Sequence, residues 1–357
     1  MKAVVLKDNK ILKLEDFPEA NLRSDECQVA IQSACVCSSD IYRAFFEGAY
    51  FYPLVMGHEM AGEVISCGLE AGKRFKPGDR VGVFPLIPCQ SCAPCHQKDY
   101  AQCCSYDYYG SRRHGGFAQR LNIRSWNLLP LPGDVSFDDA SLLEPMSVVI
   151  HALSRADLLG VSGSEEVAIL GGGTLGLLAV QILQKVSPSL SVTVFDRNRY
   201  KLNIAKSWGA NIELLDGGAS WDEYVSKNSK RFPYILQASD GSATFRYSIK
   251  LAKQLGSIVW MGNIASDLSL PKDYVSDVLR QELNIMGTWN SRYDPETQND
   301  WTMALDLLQA GIRPSKLINR TVSLLELPEV LGNLYSHKRG SERHDILKVQ
   351  VRPNLTL

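Results

Sequence analysis

The chain has 357 residues, 45% of them hydrophobic, enough to bury a large core and to form about two domains, which excludes a disordered segment. Its 38 lysines and arginines nearly cancel 39 aspartates and glutamates, leaving a formal net charge of −1. That balance sets up no field to gather nucleic acid or an anionic membrane, so the expected partner is a small molecule, with no nucleic acid and no membrane.

The N-terminal run MKAVVLKDNK alternates like a first β-strand. It lacks the apolar core and cleavage site of an export signal, which predicts a cytoplasmic protein. Through about residue 130 the sequence is β-rich, with alternating segments at 28–34, 62–68 and 79–85. The last two are joined by the turn Lys76-Pro77-Gly78-Asp79, in which proline presets the bend and glycine relaxes it.

All nine cysteines (Cys27, Cys35, Cys37, Cys67, Cys89, Cys92, Cys95, Cys103 and Cys104) fall within this first part. An odd number without an export signal argues against a disulfide framework and for metal binding. Cys89, Cys92, Cys95 and Cys103 form C-x2-C-x2-C-x7-C, able to close a tetrahedron around zinc. A closed four-thiolate site leaves no position for substrate, so its expected role is to fix a loop with little core of its own. Cys104 and His96 compete with Cys103 for the fourth position, and an iron–sulfur cluster is the lesser alternative.

From about Glu165 apolar strands alternate with amphipathic helices: strand 166–171, helix 174–185, strand 191–196 and helix 198–208. Further strands follow near 234–238, 257–262 and 283–289. That alternation predicts a parallel sheet covered on both faces. The uncharged run Val167–Gln184 is short for a membrane span and is broken by Gly171, Gly172 and Gly173. Those glycines begin Gly171-Gly172-Gly173-Thr174-Leu175-Gly176, a G-x-G-x-x-G between strand and helix, where free N–H groups would face a pyrophosphate. Asp196 ends the next strand, placed to accept from the adenosine ribose hydroxyls, which favours NAD over NADP. Arg197 and Arg199 beside it are able to serve a 2′-phosphate instead. Beyond Trp289 come a helix at 296–309, a strand at 318–324, a helix near 328–337 and a strand at 346–351. Periodicity does not say whether these extend the second sheet or return to the first part. The sequence contains no internal repeat and no long Pro/Gly/Ser linker.

Other candidate ligands are scattered: Cys37 in Cys37-Ser38-Ser39-Asp40, His58 and Glu59 in Gly57-His58-Glu59, and Glu144 in Leu143-Glu144-Pro145. Singly, each reads as a core cysteine, a hydrogen-bonded histidine or a helix cap. Their order, with Lys76-Pro77-Gly78-Asp79-Arg80-Val81, the four-cysteine lobe and the glycine loop, resembles the zinc-containing medium-chain alcohol dehydrogenase family over essentially the whole chain. The resemblance implies an α/β protein: a GroES-like, β-rich, zinc-binding catalytic domain from 1–148 and 293–357, with an inserted NAD-binding Rossmann domain, a doubly wound parallel sheet, at 149–292. It implies two zinc ions, with Cys103 completing the structural site and Cys37, His58 and Glu144 or Glu59 holding the catalytic one. Asp40 would orient His58, and Ser39 would receive the substrate proton. The implied reaction is oxidation of an alcohol whose hydroxyl pKa the metal lowers, with hydride passing to NAD. Two positions depart from the family pattern: Tyr42 stands where a relay histidine is common, and Ser38 where glycine is usual.

Within the family, Tyr52-Pro53, Pro85-Leu86-Ile87-Pro88-Cys89, 110–118, Leu279-Arg280-Gln281-Glu282-Leu283 and Gly287-Thr288-Trp289 resemble a branch acting on polyol phosphates. The implied reaction takes galactitol 1-phosphate to tagatose 6-phosphate, with free polyols of the sorbitol type, an arabitol phosphate or threonine as alternative substrates. Arg112-Arg113, between glycines, offers planar forks suited to a phosphate. The family also implies a homo-oligomer, dimer or tetramer. The competing class, a nucleotide-binding protein without catalysis, is opposed by intact donors at Cys37, His58, Glu59 and Glu144.

Overall fold

The computed structural model describes residues 1–264, 266–339 and 345–355. In chain order the elements are β1 (Lys2–Asp8), β2 (Ile11–Asp16), β3 (Glu26–Cys35), α1 (Ser38–Tyr42), β4 (Leu54–Val55), β5 (Glu59–Cys67), β6 (Arg80–Val83), β7 (Leu86–Ile87), α2 (Ala93–His96), β8 (Asp107–Tyr108), β9 (Arg120–Arg124), β10 (Leu128–Pro130), α3 (Phe137–Ala140) and α4 (Leu143–Arg155). There follow β11 (Glu166–Leu170), α5 (Thr174–Val186), β12 (Ser191–Asp196), α6 (Arg199–Ser207), β13 (Asn211–Leu214), α7 (Gly218–Asn228), β14 (Phe232–Gln237), α8 (Ser242–Leu251), β15 (Ala252–Trp260), α9 (Lys272–Arg280) and β16 (Asn284–Gly287). The chain closes with α10 (Asp300–Gln309), β17 (Ile318–Val322), α11 (Leu327–Arg339) and β18 (Lys348–Val351). It divides into two compact units, Met1–Pro145 with Arg292–Leu357, and Met146–Ser291.

The first unit is built on a seven-stranded sheet in the order β10-β6-β5-β3-β18-β17, with β9 also paired to β3. A smaller sheet has the order β2-β1-β4. β3 is buried along most of its length because β5, β9 and β18 all pair with it. Val29, Ile31, Val64, Val81 and Ile123 fill the core beside it, each worth about 1.5–3 kcal/mol when fully buried.

The C-terminal segment returns to this first unit. β18 runs antiparallel to β3 and parallel to β17. Tyr293 stacks on Phe84 at 4.3 Å, and Trp301 meets the same ring edge-on at 5.3 Å. The expected helix at 296–309 begins instead at Asp300. The Asn299 side chain caps it by accepting from Trp301 and Thr302 N–H, and Asp294 turns the preceding residues by accepting from Glu296 N–H. The expected final strand is likewise shorter, starting at Lys348.

The second unit carries six parallel strands in the order β13-β12-β11-β14-β15-β16. Strand order reverses between β11 and β14, which opens a crevice at their carboxyl ends. Leu170, Phe195, Ile235 and Ile258 lie in the core under the helices.

Candidate active site and metal centres

The four-cysteine lobe is arranged as its spacing predicts. Cys89 Sγ lies 3.9 Å from Cys95 Sγ, Cys92 Sγ lies 3.5 Å from Cys95 Sγ, and Cys92 Sγ lies 3.9 Å from Cys103 Sγ. A tetrahedron with zinc–sulfur bonds of about 2.3 Å has edges of about 3.8 Å, so the donor set fits zinc. Cys104 and His96 are exposed and stand outside the set. Backbone and hydroxyl groups of Ser91 bring the Cys89 thiol down to about 6, whereas burial pushes Cys95 up to about 12.

A second donor group brings Cys37, His58 and Glu59 together, with their ligand atoms all within 4.8 Å of one another. Their positions follow from one pair of neighbouring strands. Cys35, at the end of β3, faces Glu59, at the start of β5, so residues just beyond these two ends meet in space. Gly57 makes the turn before His58 with φ of +93°, and a side chain there would run into the Phe117 ring. The stretch 110–117 clamps this turn: Gly115 N–H donates to Val55 O, Gly116 N–H to Gly57 O and Phe117 N–H to Met56 O. A Cβ at Gly115 would lie 2.1 Å from Gly57 O, which is why glycine is needed there.

Around the trio the groups are charged and enclosed. Asp40 is fully buried, and its Oδ2 accepts from Cys37 N–H. Its Oδ1 lies 3.6 Å from His58 Nδ1, beyond hydrogen-bond length, and has no hydrogen-bond partner among the described residues. Burial opposes charge on both groups, but their mutual attraction prevails, holding Asp40 below and His58 well above its ordinary value. Ser39 is exposed at the start of α1. Glu144, in the first turn of α4, lies outside the trio and accepts from Tyr108 Oη at 3.3 Å. Burial raises its carboxyl above the ordinary range, with Glu59 adding to the shift and His58 opposing it.

One partner here was not legible in the sequence. Lys348, the first residue of β18, is buried and reaches both Glu59 oxygens, at 2.7 and 2.5 Å. Burial alone would lower its pKa, but Glu59 raises it instead. Tyr108 was also missed, because a tyrosine in a two-residue strand carries no motif.

In the second unit the glycine loop lies between β11 and α5. Gly171 has φ of +112°, and a Cβ at Gly176 would fall 1.9 Å from Gly171 O. Gly173 is the N-cap and has open space around it, and among the described residues no side-chain cap closes the start of α5. These are the features of a phosphate cradle. Asp196 Oδ2 accepts from Gly172 N–H at 2.7 Å and Oδ1 from Asn198 N–H at 2.8 Å, which ties the acid to the loop. Arg197 and Arg199 are exposed beside it.

Arg112 and Arg113 have separate environments. Arg113 Nε is ion-paired with Asp107. The Arg112 guanidinium lies between the Tyr50 and Tyr106 rings, 4.4 and 4.5 Å from their centroids. Both line a cavity of about 310 Å³ with Phe17, His114 and Arg120, and none of Cys37, His58, Glu59 and Glu144 lines it. A line of rings nevertheless links Arg112 to the metal donors. Tyr106 meets Tyr108 at 6.3 Å, and Tyr108 meets His58 at 5.8 Å.

Residues 23–133 match the alcohol dehydrogenase GroES-like domain and residues 174–310 the zinc-binding dehydrogenase domain. The chain belongs to the zinc-type medium-chain alcohol dehydrogenase family and is an oxidoreductase. Among its relatives, galactitol 1-phosphate 5-dehydrogenase of Escherichia coli K12 is 33% identical over 312 residues, covering 86% of this chain and 88% of that protein. The crystal structure of galactitol-1-phosphate dehydrogenase from Escherichia coli superposes with a TM-score of 0.86 at 30% identity, covering 99% of this chain and 100% of that one. Sorbitol dehydrogenase of Bacillus subtilis is 27% identical over 99% of this chain and 98% of its own length.

Proposed function

We propose that this chain oxidises a secondary hydroxyl of a polyol phosphate, galactitol 1-phosphate to tagatose 6-phosphate, and delivers the hydride to NAD in the cytoplasm. The carrying observation is the trio Cys37, His58 and Glu59, whose mixed sulfur, nitrogen and oxygen donors suit zinc and leave a fourth position for a substrate oxygen. Zinc bound there would supply Lewis acidity, lowering the pKa of the substrate hydroxyl so that it ionises near neutrality. Cys37 and His58 would be the fixed donors, with Asp40, 3.6 Å from His58 Nδ1, holding the ring by attraction of opposite charges. Glu59, held by Lys348, and Glu144, held by Tyr108, are two carboxylates able to alternate as the third donor. Ser39, exposed beside Cys37, takes the hydroxyl proton outward. Gly171, Gly173, Thr174, Leu175 and Gly176 receive the pyrophosphate, and Asp196 accepts from the ribose hydroxyls, with Arg197 lining the adenosine end. Cys89, Cys92, Cys95 and Cys103 would hold a second zinc, which would fix the lobe.

The phosphate falls to Arg112, because Asp107 already neutralises Arg113. The substrate class is supported by the galactitol 1-phosphate relative and by the aromatic line from Arg112 to His58. Self-association is supported in the second unit by β16, an edge strand that carries exposed Ile285, and by the exposure of Val275, Leu279 and Trp289. The test is a substrate panel on the zinc-loaded protein: galactitol 1-phosphate, galactitol, sorbitol, an arabitol phosphate and threonine, each with NAD and NADP. Steady NADH formation fastest with galactitol 1-phosphate supports the reading. Equal rates with galactitol remove the phosphate, and binding of NAD without turnover of any substrate removes the enzyme reading.

A further inference from the structure

Two thiols outside both donor sets face each other across the β3–β5 ladder. Cys27, in β3, is the direct partner of Cys67, the last residue of β5, and Cys27 Sγ donates to Cys67 Sγ at 3.4 Å. Cys67 Sγ in turn donates to Phe75 O at 3.4 Å. This relay turns a Cys67 lone pair toward Cys27. On the next pair along the ladder, Gly68 N–H donates to Glu26 O at 2.8 Å. The cysteines therefore occupy a position without backbone hydrogen bonds between them, where antiparallel Cα atoms approach to about 4.5 Å. A disulfide accepts Cα separations of about 4.4–6.8 Å, so the spacing typical of such a ladder position falls within the range that the bond allows. Cys27 is fully buried, and Cys67 reaches solvent in part. Burial pushes the Cys27 thiol up to about 12, and the partial exposure of Cys67 makes it the sulfur that an incoming disulfide meets first.

We propose that Cys27 and Cys67 are a redox modification site, converted reversibly to a cross-strand disulfide by a low-molecular-weight disulfide such as glutathione disulfide. The Cys67 thiolate attacks one glutathione sulfur, forming a mixed disulfide and releasing one glutathione thiolate. Cys27 then attacks the Cys67 sulfur, and its proton passes to the departing glutathione thiolate, releasing the second glutathione as a thiol. The two protein thiols are oxidised, glutathione disulfide is reduced to two thiols, and two S–S bonds are broken as two are formed, one of them transient. The new bond fastens the ladder at the end opposite Cys35 and Glu59, the end next to the metal donors.

The test uses zinc-loaded full-length protein incubated with glutathione disulfide, quenched by acid and alkylation, digested and read by mass spectrometry. The expected product is a peptide pair joined through Cys27 and Cys67, about 2 Da lighter than the two thiol peptides together. Dithiothreitol reverses it, and Cys67→Ser lacks it. Glutathione retained on Cys67 with no link to Cys27 overturns the proposal. So does oxidation confined to the lobe cysteines, and so does a chain left unmodified.

Discussion

Cys37 is the sole sulfur in the trio, and replacing it exchanges a thiolate donor for a weakly acidic hydroxyl. Cys37→Ser is expected to lower turnover by more than the roughly 100-fold typical of losing a partner behind a metal ligand, with NADH affinity, read by fluorescence, unchanged. Retained activity would refute a catalytic metal at this position. Lys348 is a different kind of residue, since its ammonium neutralises a buried carboxylate. Lys348→Met strands Glu59 as an uncompensated buried charge, and the metal-free protein is expected to lose about 3–5 kcal/mol of stability. Zinc at the trio replaces part of the missing positive charge, so chemical denaturation with and without zinc should show a smaller loss in the loaded form. Equal losses would mean that the metal does not lie beside Glu59. The sequence could not display this pair, because its partners are 289 residues apart and period-two reading says nothing of which strand a lysine meets. Motif order offered Cys37, His58, Glu59 and Glu144 together as candidate ligands without choosing between the two glutamates. The structure puts Glu59 in the trio and Glu144 on Tyr108.

At the level of elements, the glycine loop binds β11 to α5 more tightly than a phosphate site alone requires. Gly176 packs its Cα against Gly171 O, so Gly176→Ala forces the first turn of α5 away from the strand. The expected result is a loss of NADH affinity of at least about tenfold, 1.4 kcal/mol, with zinc content unchanged by metal analysis. Unchanged affinity would place the pyrophosphate elsewhere. This loop was readable because its strand, turn and helix are consecutive in the chain. The start of α10 was not, because Asn299 and Asp294 compete locally for the backbone that periodicity assigned to the helix. The strands β17 and β18 were seen, but not their sheet, since short apolar strands suit either one and only pairing with β3 decides.

For the molecule as a whole, the proposed self-association falls on β16, whose outer edge pairs with no strand among the described residues, so that two copies of β16 would meet antiparallel about a twofold axis. Leu279→Glu, at an exposed position of α9, is expected to shift sedimentation toward a monomer while leaving the zinc content intact. An unaltered sedimentation coefficient would move the association to another face. The texture separates a β-rich part from a parallel-sheet part, because each has its own hydrophobic period, whereas the return of the C-terminal segment was implied by the family likeness alone. The clamp of 110–117 over the Gly57 turn has a consequence for anyone wishing to redesign this protein. Arg112 and His114 ride on a loop whose backbone is pressed against the turn that delivers His58, with no space for even a methyl group at Gly115. Under the proposed phosphate role of Arg112, substrate preference would be diversified there by exchanging side chains at 111–114. Libraries that vary the length of the loop would disturb the Gly57 turn, and with it the placing of His58, before they are ever screened for a new substrate.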